Sequence, residues 1–125
     1  MQAALSAANR FAVDLTTFDY RTLDAFYAKV EAQGTAYLKQ NLEANRVDTI
    51  AYDRRLEVIS QGSVVASAAK PAADDGSVTV LLFVDQRLRR KGATSGLLEQ
   101  VRMQIVMKRV GGAWLADQTT VTGSS

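Results

Sequence analysis

The stretch Gln100-Val-Arg-Met-Gln-Ile-Val-Met-Lys108 alternates along its length: Val101, Met103, Ile105 and Met107 project to one side, and Gln100, Arg102, Gln104 and Lys108 to the other. A period of two is the repeat of extended chain, so this segment is a strand with one dry face and one wet face. After it, Gly111-Gly112 supplies a tight hairpin into a last strand, Trp114 to Val121, with Trp114 anchoring the hairpin in the core. Before it, Lys91 to Gly96 forms a second turn, preceded by a strand from Ser77 to about Arg90. The centre of that strand, Val78-Thr-Val-Leu-Leu-Phe-Val84, is apolar on both faces, which predicts a position inside a covered sheet. Pro71 and Asp74-Asp75-Gly76 turn the chain back from a first long strand, Leu56 to about Ala69. In that strand Leu56, Val58, Ser60, Gly62 and Val64 share one face, and Ser60-Gln-Gly62 marks a bulge.

Upstream of residues 54–57 the period is helical. Ala4, Ala8, Phe11, Leu15 and Phe18 fall on one stripe of a long first helix, and Leu23, Phe26, Tyr27 and Val30 on one face of a second. Asp19 suits the N-cap position between them, where its carboxylate accepts free amide protons. Gly34 ends the second helix as its C′ residue, and Thr35 caps a third. That third helix starts an apolar face with Tyr37, Leu38 and Leu42, then turns polar through Gln40, Asn41, Asn45 and Arg46 and ends near Asp53-Arg54. The expected architecture is α+β: three N-terminal helices, about residues 2–54, packed on a strongly curved antiparallel sheet of about four strands, about residues 56–121. Residues 122–125 read as a frayed tail. With 125 residues, no repeat and no linker, the chain is predicted to form a single domain.

Composition removes several chemistries. There is no cysteine and no histidine, which excludes disulfides, thiol nucleophiles, Cys/His zinc sites and every mechanism that uses a histidine base. Acid–base work would fall to Asp, Glu, Tyr or Lys. The net charge of +2 does not call for nucleic acid, and the one basic run, Arg87, Arg89, Arg90 and Lys91, reads first as a solvated strand end. No segment approaches the ~20 apolar residues needed to span a bilayer. The opening residues lack a signal-peptide pattern and read as a helix already under way, which fits a domain that follows a membrane anchor. The glycine pairs lie between strands without a following helix, so they are not phosphate loops.

Asp19-Tyr20 is the strongest catalytic candidate on chemical grounds, a carboxylate beside a phenol. Neighbours in sequence seldom converge on one substrate atom, so a helix cap and a packed ring are the favoured roles. Asp53 beside Arg54, and Asp85 near Arg87, read as surface or strand-end ion pairs. Met103 and Met107 fill the core or, through their flexible thioethers, line a groove. The residues expected at a cleft or an interface are Phe18, Asp19, Tyr20, Phe26, Tyr37, Tyr52, Met103, Met107 and Trp114. None is assigned as catalytic, and no cofactor or metal is expected.

Ala12-Val-Asp-Leu-Thr-Thr-Phe-Asp-Tyr20, the following Arg21-Thr-Leu-Asp24, Val30 with Gly34, and the closing Arg109-Val-Gly-Gly-Ala-Trp-Leu115 resemble the Mce-associated membrane proteins of actinobacteria. The resemblance spans about Ala4 to Val121, and its first motif is the more specific. It implies a nuclear transport factor 2-like cone held outside the cytoplasm by an upstream membrane anchor. It further implies a non-enzymatic accessory subunit that stabilises an Mce-type lipid import system through contacts with Mce transporter subunits or other envelope proteins. A lipid-accommodating cleft and a homodimer through the sheet are part of that expectation. Two alternatives stand beside it. One is a cyclase- or isomerase-like domain drawing an acid and a phenol from Asp19, Asp53, Tyr37 and Tyr52. The other is an assembly factor of a secretion machine.

Overall fold

The computed structural model describes residues 1–72, 75–93 and 95–124. Asp74 of the predicted first turn, Thr94 of the second and Ser125 of the tail lie outside the described residues. The elements run α1 (Gln2–Leu15), β1 (Phe18–Asp19), a 3-10 turn (Tyr20–Thr22), α2 (Leu23–Glu31), α3 (Ala36–Ala44), α4 (Arg46–Leu56), β2 (Ile59–Pro71), β3 (Val78–Arg89), β4 (Leu97–Val110) and β5 (Ala113–Ser124). The strands form one antiparallel meander in chain order, so each hairpin places sequence neighbours side by side. This is the α+β layout that the sequence predicts.

The core lies between α1 and the sheet. The face of α1 that meets the sheet carries Ala4, Ala7, Ala8 and Ala12, with Phe11 as its one large side chain, and all five are buried. The sheet answers with alternating residues of its two central strands. Val80 sits opposite Ile105, Leu82 opposite Met103 and Val84 opposite Val101, and all six are buried. Fully burying a side chain the size of Phe11 or Ile105 contributes about 1.5–3 kcal/mol. Val30 of α2 and Leu38 of α3 close the same core from the side.

Four differences from the sequence expectation have local causes. First, Phe18 leaves the helical stripe. The Thr16 hydroxyl donates to the carbonyl of Ala12 at 2.7 Å, the helix ends, and Phe18-Asp19 pairs with Ser60-Ile59 as a fifth, two-residue strand. Second, the predicted third helix is two helices. Asn45, with φ −114° and ψ 5°, interrupts the α-helical backbone and joins α3 to α4, giving four helices. Third, α2 closes at Glu31 with Ala32 as its cap, so Gly34 is not the left-handed terminator. Gly34 bridges to Ala116 instead, where any Cβ would strike the Leu38 side chain. Thr35 does cap α3, accepting from the Leu38 amide at 3.3 Å. Fourth, β5 continues to Ser124, pairing it with Val101, through residues predicted to fray.

The bulge in β2 also moves, to Val64/Ala66. Ser60 and Gly62 are held in regular strand by α1's end: Ser60 Oγ donates to the Thr16 carbonyl at 2.6 Å, and the Gly62 amide to Thr17 Oγ1 at 3.1 Å. Gly62 is glycine because Thr16 occupies the space a Cβ would need. Beyond the bulge the outer face of the sheet is uncovered, against the expectation for β3. Leu81 is 51% exposed, Phe83 53% and Val65 62%.

Gly62→Ala should therefore lower stability by about 1–3 kcal/mol through overpacking against Thr16, read as a fall in the thermal or urea midpoint. Asp19 gives a second expectation. Its Oδ1 accepts from the Arg21 amide at 2.9 Å and from Arg21 Nε at 2.8 Å, and its Oδ2 from Arg21 Nη2 at 2.5 Å. Asp19→Ala should cost about 0.5–2 kcal/mol, the usual cost of losing an N-cap. The Arg21 side chain, then its amide, holds the Asp19 carboxyl down at about 2 against an ordinary 3.8. The contribution is complete above pH 3.8 and is lost as the pH falls through about 2, so wild type and variant should converge in acid.

Candidate functional site

On the helical side, away from the uncovered sheet face, the ends of α1 and β1 and the helices α2, α3 and α4 enclose an open cleft of about 420 Å³. Its two walls differ in chemistry. One is apolar and aromatic: Leu15 from the end of α1, Phe18 from β1, and Phe26 and Tyr27 from α2. Phe18 and Phe26 stack tilted with ring centroids 5.4 Å apart, and Tyr27 meets Phe26 edge-on at 5.1 Å. The tight turn held by Asp19 and Arg21 folds α2 back so that these rings meet. The other wall is a polar ladder, Asn41, Asn45, Thr49 and Asp53, with Leu42 and Tyr52 beside it. Asn41 comes from α3, Asn45 from the joint, and Thr49 and Asp53, spaced by four, from one face of α4. The Thr49 amide donates to the Asn45 carbonyl at 3.0 Å, which opens the first turn of α4.

Asp53 is the unusual member of this ladder. It is only 8% exposed and faces no ion-pair or hydrogen-bond partner for its carboxylate among the described residues, so the predicted surface pair with Arg54 is not formed. Arg54 and Arg55 point to solvent, the latter over the Tyr52 ring at 5.8 Å. Burial alone pushes the Asp53 carboxyl above the usual carboxylate range. Burial also pushes the Tyr27 phenol up, while the Thr49 hydroxyl beside it acts the other way. Arg46 stacks on Tyr27 at 4.6 Å but is taken by Asp24 at 3.2 Å and Glu43 at 3.1 Å.

Of the nine residues expected at a cleft or interface, the cleft brings together Phe18, Phe26 and Tyr52. Asp19 and Tyr20 diverge: Asp19 is engaged by Arg21, and the Tyr20 hydroxyl reaches Glu57 Oε1 at 3.5 Å. Tyr37 is exposed in a separate groove between α3 and β5, with Gln118 and Thr120. Met103 and Met107 are buried beneath α1, and Trp114 packs half-buried against the edge of the core. The sequence does not single out the polar ladder. Its signal is the four-residue spacing 41, 45, 49, 53, which is concealed because each residue alone looks like an ordinary solvated helix position. No group of three or more acidic side chains able to hold a metal ion occurs among the described residues, and no described helix is long and apolar enough to cross a membrane.

No family model matches the chain, and no curated protein matches it by sequence. Solved structures do match its fold over nearly its whole length. The periplasmic domain of DotI superposes with a TM-score of 0.76 at 15% identity, covering 97% of this chain and 94% of that one. CagV of Helicobacter pylori, a VirB8 homologue, gives 0.74 at 8% identity and covers 98% of both chains. VirB8 of Agrobacterium tumefaciens gives 0.71 at 12% identity, covering 96% and 91%. The chain thus has the nuclear transport factor 2-like fold of VirB8-type periplasmic domains.

If Asp53 has no role in holding the fold, Asp53→Asn should leave the thermal midpoint unchanged or raise it near neutral pH. A raised carboxyl pKa opposes folding above its ordinary 3.8, so any gain should vanish as the pH falls below that value. A midpoint lowered at neutral pH would mean that the carboxylate is structural.

Proposed function

We propose that this domain is a non-enzymatic assembly module of a cell-envelope machine, working outside the cytoplasm through protein–protein contacts. The observation that carries this is the near end-to-end likeness to domains of that kind, reported above as DotI, CagV and VirB8. The uncovered strip on the sheet supplies the contact surface. Phe83 and Leu81 stand opposite Ala66 and Ala68, so the large side chains rise above small neighbours and offer apolar anchors of the sort that dominate interfaces. Of the acid–phenol candidates for an isomerase, Asp19 is engaged by arginine and Tyr37 lies in another groove; Asp53 and Tyr52 do share the cleft, but no hydrogen bond joins that carboxylate to a phenol among the described residues.

A secretion-type machine is the first reading, because the matching folds are of that class. An Mce-type lipid importer is the second, favoured by the Ala12–Asp24 motif, which occupies the α1–α2 joint. In either machine, envelope subunits are the partners, and a second copy of the chain through the same sheet face is the simplest alternative contact.

The test is complementation of a deletion strain with full-length protein carrying Leu81→Glu and Phe83→Glu. The double variant should keep its far-ultraviolet spectrum and melt within a few degrees of wild type, yet fail to enter a high-mass envelope complex on native gels. Loss of protein export would identify the secretion machine, and loss of lipid uptake with intact export the importer. Normal complex formation by the variant would overturn the sheet-face assignment.

A further inference from the structure

We infer that the interhelical cleft is a binding site for an amphiphilic amine, with its apolar chain against the aromatic wall and its ammonium group at the Asp53 carboxylate. The site is separate from the sheet face and does not depend on which envelope machine the domain serves.

Three observations converge on this ligand class. The first is Asp53 itself. The residue is 8% exposed, its carboxylate oxygens keep contact with solvent through the cleft, and no ion-pair or hydrogen-bond partner meets them among the described residues, so the charge is partly stripped of water on the cleft side alone. The cations nearby are engaged elsewhere: Arg46 by Asp24 and Glu43, and Arg55 over the Tyr52 ring. A charge left unmatched by its own protein, at the edge of a cavity, is suited to a ligand that brings the opposite charge.

The second observation is the wall facing it. Phe18, Phe26 and Tyr27 form a contiguous ring cluster, and Tyr52 adds a fourth ring at the rim. Aromatic faces attract ammonium groups and accept alkyl chains with little desolvation cost. The third is size and polarity. A cleft of about 420 Å³ falls within the range of small-ligand sites, which are mostly apolar with a few placed polar groups. The same chemistry disfavours other occupants. A fatty acid would set a second carboxylate against Asp53, a sterol hydroxyl would leave the charge unneutralised, and one carboxylate is too few ligands for a metal ion.

The test uses n-octylammonium chloride titrated into the folded protein, followed by amide shifts in two-dimensional NMR, with sodium n-octanoate and capped lysine as comparison ligands. Octylammonium should bind saturably with shifts centred on Phe26, Thr49 and Asp53, at least tenfold more tightly than octanoate or capped lysine. Asp53→Asn should weaken it at least tenfold while retaining a wild-type thermal midpoint. Tyr52→Leu, at a half-exposed position where folding is not at risk, should weaken it severalfold and serves as the second variant. Equal affinity of wild type and Asp53→Asn, or equal binding of octanoate, would overturn the assignment. Capped lysine binding as tightly as octylammonium would place a partner's lysine in the cleft and overturn the ligand class.

Discussion

Because Ala4, Ala8 and Ala12 offer the sheet nothing larger than a methyl group, α1 lies across the sheet, closest to β2 and reaching β3, β4 and β5, with Phe11 as the one large side chain on its buried face. That close contact organises the molecule. It covers the concave face of the central hairpin, where Val80, Leu82, Met103 and Ile105 lose all but a trace of their exposure. It also places the end of α1 against β2, where Thr16 and Thr17 tie Ser60 and Gly62 through hydrogen bonds instead of apolar contacts. The helix is thus packed along its length and pinned at its C-terminal end. The chain that follows must then reverse within a few residues, and the Asp19–Arg21 turn makes that reversal.

Much of this was legible in the residues. The alternation of Val101 to Met107 placed β4, the glycine hairpin placed β5, and the alanine and phenylalanine spacing placed α1. What escaped was decided by tertiary contact. Gly34 carries no sign that it must clear Leu38, and Gly62 none that it must clear Thr16; local pattern suggested a helix terminator and a bulge. The break at Asn45 hides within an unbroken polar stretch. β3 misled in the opposite direction: an apolar run on both faces implies two covering layers, but Leu81 and Phe83 stand exposed on the outer one.

The candidate site was legible only in part, and for a related reason. Phe18 and Phe26 were singled out at the joint of the first two helices, and Tyr52 as a phenol that could face a cleft. Asp53, between Tyr52 and two arginines, looked like one partner of a surface ion pair. Its neighbours in sequence were uninformative because the helix sends them outward, while the residues that define its surroundings stand four, eight and twelve positions earlier. Asp19 shows the reverse situation. Its pairing with the nearby arginine makes it chemically quiet, and the acidic group in the unusual environment is Asp53, which the residues offered only as one of two acids in the isomerase-like alternative.

The division of labour between the two layers has an evolutionary consequence. Within α3 and α4 only Leu38 and Asp53 are buried, and Asn41, Asn45 and Thr49 on the polar wall are exposed, so those three contribute almost nothing to the packed interior. Substitutions at Asn41, Asn45 or Thr49 alter what the cleft presents without disturbing the α1–sheet contact, and changes on the convex side of β3 leave the cleft intact. Drift in one surface is therefore invisible to the other. A lineage built on this scaffold is free to change the sheet face while keeping the cleft, or to change the cleft while keeping the sheet face.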